Sequence, residues 1–502
     1  MSNTVLNFAD MGSFISKNLA GIFATGIVLS LSILLRSLRV GRASKLPPSP
    51  GGLPWIGQAL EIPTTHSHLY YTELHKKLGD IYSLTAIGQK FVVLNTYEAA
   101  FEILGRHGAV HCDRPPNPYW TRFLGLENLI TIMNVDQDWK EGRRLFQLVF
   151  NKESARASYS KGVAAQASRY VLASIEQVQD KDNKLDLALH KTILQSAYGL
   201  KLEDGDPILT NALQATEVAS VSLLPTKHLV NLFPSLQHLP SWVPFQTWRI
   251  EAKEARKVLD PLTETPWQRF LANNSEGTAS ESVALRIIAE QNPANAHLLP
   301  ILAGTNCASS RRATKILAGA ETTLVVCRTF VLAMLLHPEV QRKAQEELDR
   351  VIGHERLPKI DDLSDLPYID AVVKEVLRWQ PVGPISVPRR TRKDDLYGDY
   401  LIPQGTIVVQ NNWAISRDDR VYSNPDSFDP DRWLVADPPR DSRLWSFGMG
   451  RRICPGMAYA ELAYTTFIMT LLSSVNVLPA LDKDGREEYI NPSVPTTGRL
   501  VK

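Results

Sequence analysis

The sequence predicts a mainly helical domain with a small β region, preceded by one membrane-spanning helix, and three observations carry that prediction. Leu19 to Leu35 is an uncharged apolar run. Ile81 to Asn95 reads as two β-rich runs around a turn at Gly88 and Gln89. From about Lys152 onward, apolar residues recur at three- and four-residue spacing, as in Val163 to Val178 and Leu185 to Ala197.

With 502 residues, 44% hydrophobic and 22% charged, the chain can bury a large core. No Gly/Ser linker, charge block or internal repeat interrupts it after residue 50, so it divides into an anchor with a basic flank (1–45) and one catalytic domain (46–502). A net charge of +2 without a basic stripe argues against nucleic acid or another polyanion as partner. Cys112, Cys307, Cys327 and Cys454 are too few and too irregular for a disulfide framework or a zinc site, which suits a reduced, cytosol-facing domain.

As a helix, Leu19 to Leu35 spans roughly 26 Å, close to the thin bilayer of the endoplasmic reticulum. Arg36, Arg39, Arg42 and Lys45 follow it and only Lys17 precedes it, which argues against a cleavable signal and leaves the downstream body in the cytosol. Leu46 to Pro54, rich in proline, is a stiff spacer. After the β region, Thr96 caps a helix containing Ala99, Phe101, Ile103 and Leu104. Trp139 and Arg143 lie four apart on one helix face, either as surface cover or as a donor pair for a ligand. Leu223 to Trp248, apolar but broken by prolines, is either a mobile lid or an irregular packing segment.

Ala318-Gly319-Ala320-Glu321-Thr322-Thr323 sits in an apolar helix running to Leu336, where a glycine and an acid are normally penalised. Glu375 and Arg378, three apart on a helix begun near Pro367, can pair on one face. Val382 to Pro388 is extended, and Asp395 to Val409 reads as a pair of β hairpins. Phe447-Gly448-Met449-Gly450-Arg451-Arg452-Ile453-Cys454-Pro455-Gly456 then surrounds one cysteine with glycines that tolerate positive φ. Pro455 sets a helix start whose amides can stabilise a thiolate. Taken alone, Cys454 could equally be a buried, inert cysteine.

That decapeptide resembles the haem-ligand signature of the cytochrome P-450 monooxygenases, Phe-x-x-Gly-x-Arg-x-Cys-x-Gly, with every specified position present. Four further motifs follow the family's order, so the resemblance covers roughly Leu46 to the C-terminus. It implies the cytochrome P-450 fold and haem b (iron protoporphyrin IX) with Cys454 as axial iron ligand. It also implies Trp139, Arg143, Arg389 and Arg452 as propionate partners, with Arg389 standing where close relatives commonly carry His. Glu321 and Thr322 would organise water and protons around bound dioxygen, with Gly319 bending their helix. Glu375 and Arg378 would form a structural pair locked onto Pro430 to Trp433, and Leu223 to Trp248 would roof the substrate channel.

The function so implied is insertion of one oxygen atom from O2 into an apolar small molecule, a terpenoid, polyketide or xenobiotic. Electrons would come from NADPH through a separate cytochrome P-450 reductase, since no nucleotide-binding fingerprint is present. The phrasing is most like fungal secondary-metabolism members, held at the endoplasmic reticulum membrane by one span. A haem-thiolate isomerase or dehydratase and a haem sensor are the alternatives; the Glu321-Thr322 pair favours the oxygenase. Ala303 to Arg312 departs from the family, being Gly-, Ser- and Asn-rich where an apolar rod is usual. The expectation there is a misassigned exon boundary, against a helix that starts late, at about Ala313.

Overall fold

The computed structural model describes residues 45–479, except 55, 128, 176–180, 223–227 and 290–313, together with 484–487. The anchor at Leu19 to Leu35 and the departure at Ala303 to Arg312 lie outside the described residues.

Two strands, β1 (Ile81–Ala86) and β2 (Gln89–Leu94), pair antiparallel from Ile81 opposite Leu94 to Ala86 opposite Gln89. The turn falls on Ile87 and Gly88, both with positive φ (51° and 75°), and Gln89 is already strand. The two remaining strands of this sheet come from the far end of the chain, β3 (Arg389–Arg390) and β6 (Ile407–Gln410), in the order β1-β2-β6-β3. β6 runs parallel to β2, as a crossover through the whole helical body permits. Between them β4 (Asp395–Tyr397) and β5 (Tyr400–Ile402) form one separate hairpin. The double hairpin expected over Asp395 to Val409 is therefore a single one. A turn closed by Thr406 N–H on the Pro403 carbonyl (3.2 Å), with Gly405 at φ 82°, sends the chain into the larger sheet instead.

Helix α1 (Ser67–Leu78) precedes the sheet and α2 (Tyr97–Ala100) follows it, capped by Thr96, whose hydroxyl accepts from Ala99 N–H. The expected continuation through Leu104 is not α-helical. It widens into a π-helical turn, Phe101–Arg106, whose Leu104 carbonyl accepts from Arg389 Nη1 at 3.1 Å. Ile103 and Leu104 share a core cluster with sheet residues Leu94 and Val408 and with Trp445 and Met449 of the loop before Cys454.

The helical body contains α3 (Gln137–Phe150), α4 (Lys152–Ile175), α5 (Lys181–Tyr198), α6 (Pro207–Ser222), α7 (Thr247–Ser275), α8 (Thr314–Leu336), α9 (Pro338–Val351), α10 (Pro367–Trp379) and α11 (Met457–Leu472). α8 is long and apolar enough to cross a membrane, but it packs against α5 and α11 with most of Gly319–Leu336 buried, as a core helix does. α11, buried from Leu462 to Leu472, also packs on α4.

The described part of Leu223 to Trp248 combines packed and exposed side chains. Val230 and Trp248 are buried, and Asn231 Oδ1 accepts from the Tyr119 amide at 3.1 Å, yet Trp242 and Phe245 are 81% and 88% exposed.

α10 is held at its start by Glu347 of α9, whose carboxylate accepts from the amides of Tyr368 and Ile369 (3.1 and 3.0 Å). Further along, Glu375 and Arg378 are fully buried and paired at 2.9 and 2.7 Å. Arg378 donates onward to the carbonyls of Ser416, Pro425 and Ser427. Glu375 accepts from Asp429 N–H (2.9 Å), Arg432 Nε (3.2 Å) and Trp433 Nε1 (3.1 Å). Every hydrogen-bonding valence of this pair is met, which is what permits full burial. Glu375→Ala strands the buried Arg378 without its counter-charge and leaves Arg432 only Asp429 at 4.0 Å, and the expected outcome in denaturant unfolding is a loss of about 3–5 kcal/mol. A change below about 1 kcal/mol, the worth of an exposed pair, would contradict this role.

Candidate active site

The loop before α11 is wound tightly. Gly448 N–H donates to Trp445 O (3.1 Å), Ile453 N–H to Gly450 O (3.1 Å), and Cys454 N–H returns to Phe447 O (2.8 Å). Gly450, at φ 57°, lies so close to the π-helical turn that a Cβ there would stand 2.3 Å from the Leu104 carbonyl. No other residue fits without moving that backbone. Cys454 ends the loop, with Gly456 at the N-cap of α11.

Burial pushes the Cys454 thiol up, while the Gly456 amide and the Arg143 charge pull it down. Burial prevails, so the helix start favours the thiolate but does not by itself make one. A metal cation bound to Sγ would supply the missing stabilisation, because coordination deprotonates a thiol outright.

Arg143 reaches the same loop, donating from Nη1 to the Ile453 carbonyl at 2.6 Å. It shares a face of α3 with Trp139, its guanidinium 5.5 Å from the ring. The expected donor pair is not realised as a pair, since the Trp139 indole N–H donates to the Ile130 carbonyl at 3.1 Å. Arg452 also lies over that indole, 4.8 Å from the ring, and donates to the carbonyls of Cys112 (2.7 Å), Ile130 (3.2 Å) and Met133 (2.5 Å). Arg389, at the start of β3, donates to Leu104 O (3.1 Å) and Met449 O (2.8 Å). A fourth arginine joins them. Arg114 donates to the carbonyls of Thr131 (2.6 Å), Val387 and Pro388 (both 2.7 Å). Sequence reasoning missed it, and its position ahead of Pro115 and Pro116 is the only local signal.

Among the described residues none of these four guanidinium groups is bonded to a carboxylate. Burial holds Arg389 and Arg452 down to about 10, with further lowering of Arg389 by Arg452 and of Arg452 by Arg143. Arg114 is held well below its ordinary value by burial and by Arg452 and Arg389, and burial lowers Arg143 too. Crowded cations on neutral carbonyls call for an anion. The two propionates of haem b fit this need, as its iron fits the Cys454 thiol, so the donor set suits the group.

On α8, Gly319 serves packing: a Cβ there would meet Ile193 of α5 at 3.0 Å. Thr323 Oγ1 bonds back to the Gly319 carbonyl at 2.8 Å, whereas Thr322 is exposed and Glu321 half-buried. Glu375 and Arg378 lie apart from the cysteine loop and act through the fold.

Residues 47–498 match the family model for Cytochrome P450. The chain is 34% identical to cytochrome P450 monooxygenase 208 of Postia placenta over 488 residues, 96% of this chain and 93% of that protein. Cytochrome P450 monooxygenase COX2 of Coprinopsis cinerea is 31% identical over 96% of this chain and 91% of its own length. The corresponding figures for cytochrome P450 monooxygenase claR of Ampulloclitocybe clavipes are 33%, 92% and 85%.

Cys454→Ser tests the ligand assignment. The expected outcome is that the ferrous carbon monoxide complex loses its thiolate-type absorption, since a serine oxygen is too poorly ionised to donate comparable charge to iron. Retention of that absorption in the variant would place the axial ligand elsewhere.

Proposed function

This chain belongs to the cytochrome P450 family, and from that premise we propose that it is a membrane-anchored monooxygenase that inserts one oxygen atom from O2 into an apolar small molecule, with electrons passed from NADPH by a separate reductase. The observation that carries the reading is the convergence of Cys454 and four arginines lacking a carboxylate partner, a donor set made for one metal and a dianion. Haem b held there supplies a redox-active iron for oxygen chemistry.

The chain's own residues do the rest. Cys454 binds the iron, and the Gly456 amide with Arg143 tempers the charge on its sulfur. Arg114, Arg389 and Arg452 fix the edge of the macrocycle, with Arg452 and Arg143 both against the Trp139 ring. Thr322 Oγ and the Glu321 carboxylate hold water and deliver protons from α8, a role for which a hydroxyl and an ionisable acid are suited. The uncharged run at Leu19 to Leu35 supplies the anchor, and the exposed Trp242 and Phe245 add a second apolar contact with the bilayer of the endoplasmic reticulum. An apolar substrate, a terpenoid, polyketide or xenobiotic, would partition into the same bilayer. The fungal sources of the relatives favour a secondary metabolite.

Reconstitution with a P450 reductase and NADPH tests the reaction. Thr322→Ala is expected to keep consuming NADPH while more of the electrons appear as hydrogen peroxide, because removing Oγ disturbs proton placement and leaves haem binding alone. An unchanged peroxide yield per NADPH would remove Thr322 from the proton path. For the second membrane contact, Trp242→Ser with Phe245→Ser is expected to weaken vesicle binding of protein lacking residues 1–42, at about 25 cal/mol per Å2 of apolar surface no longer buried. Equal vesicle binding with and without the two aromatics would exclude that contact.

A further inference from the structure

Two histidines on the stretch leading to Arg114 converge on one carboxylate oxygen. His107 Nδ1 and His111 Nε2 each lie 2.8 Å from Asp395 Oδ2 on β4. A carboxylate only accepts, so both nitrogens carry their proton and both tautomers are fixed. For His111 this leaves Nδ1 bare, and that atom is buried without a hydrogen-bond partner on a fully buried ring. Such an orphaned acceptor is uncommon. The charged groups facing His111 are Asp395, His107 on its own segment and Arg389 on β3. His107, half-exposed, also has Glu102 at 3.7 Å.

The segment so held supplies much of the arginine-rich edge. Its Cys112 carbonyl accepts from Arg452 at 2.7 Å, and Arg114 follows two residues later. Backbone bonds stitch it to the same sheet region, from Arg392 N–H to Val110 O (2.9 Å) and in both directions between Asp113 and Arg390 (3.2 and 2.7 Å).

We propose that His107, His111 and Asp395 are a positioning clasp for the haem edge, which holds residues 107–114 and through them Arg452 and Arg114 in place at neutral pH and lets go on taking up protons. The inference rests on reading the arginine cluster as the haem propionate site. The sign follows from the protonation states. Burial holds His111 below the ordinary histidine value, aided by His107 and Arg389 and opposed by Asp395. The folded clasp therefore excludes a proton that the released ring would bind. Its contribution is present above the released-state value of about 6.5 and declines as pH falls below it, by up to about tenfold per pH unit. Burial pushes Asp395 up, but the hydrogen bonds from His111 and His107 outweigh it and hold the carboxyl below its usual range. This second contribution is lost only at lower pH, as the solution falls through that depressed value.

The test is the rate of haem transfer from the holoprotein to excess apomyoglobin, followed from about pH 7.5 to about pH 5.5, which brackets the ordinary histidine value. The wild type is expected to release haem faster as pH falls below about 6.5, by up to about tenfold per unit. His111→Phe keeps a flat ring and removes the titrating group, so its profile flattens. Asp395→Asn keeps an acceptor oxygen and removes the charge, so its acid limb shifts; if His111→Phe fails to hold haem, this variant decides alone. Asp399→Asn, an exposed carboxylate beside the same hairpin turn, keeps the wild-type profile. Wild-type profiles in both His111→Phe and Asp395→Asn overturn the clasp. Arg389→Ala separates the two claims: unchanged haem release in it sinks the propionate reading. Faster release there, with wild-type profiles in the clasp variants, sinks the clasp alone.

Discussion

Four buried or half-buried guanidinium groups without a carboxylate partner among the described residues are the constraint on which the rest of the molecule turns. Arg114, Arg143, Arg389 and Arg452 donate to nine backbone carbonyls between them, and each is held below its ordinary value by burial. Carbonyl dipoles satisfy the N–H groups but leave the charge. Such an edge calls for an anion, which the carboxylates of the proposed haem would supply. The same edge borders the cysteine loop, since Arg143 binds the Ile453 carbonyl and Arg389 the Met449 carbonyl. The arginine cluster and the cysteine loop thus belong to one hydrogen-bonded network.

That network is assembled from distant parts of the chain, and two devices bring them together. The larger sheet joins β1 and β2 to β6 and β3, which puts Arg389 against the π-helical turn at Leu104. The other is the buried Glu375 and Arg378, which bind residues 416 to 433 to α10. From there Ser442 Oγ donates to the Lys374 carbonyl at 2.7 Å and Arg443 pairs with Asp370 at 3.0 Å, so the cysteine loop leaves from a fixed point on α10. A charge pair well away from the cysteine consequently has a hand in placing the sulfur.

Legibility in the sequence followed the range of the interaction. Glu375 and Arg378 are three residues apart, and the glycines around Cys454 are adjacent to it, so local spacing was enough to single them out. Residues whose partners lie hundreds of positions away were readable only where the family resemblance reached them, as it did for Arg143, Arg389 and Arg452 and did not for Arg114 and His111. Arg114 is defined by Val387 and Pro388, and His111 by Asp395. The π-helical turn answers to Arg389 and Gly450, neither of which a helix-period pattern contains. Spacing put Trp139 beside Arg143, as found, while its role as a propionate partner came from the resemblance; in the structure its indole N–H goes to the Ile130 carbonyl. Gly319 was assigned to bending over a cofactor, and its closest neighbour is Ile193.

The most direct test of the charge argument compares two cofactors that differ only at the edge. Apoprotein titrated with haem b and with its dimethyl ester presents the same iron and ring, with and without the two negative charges. The account predicts a preference for the free acid of at least about a hundredfold, the scale of losing two charge-assisted contacts of about 1.5 kcal/mol each. Equal affinity for the two would show that the arginines do not hold the propionates.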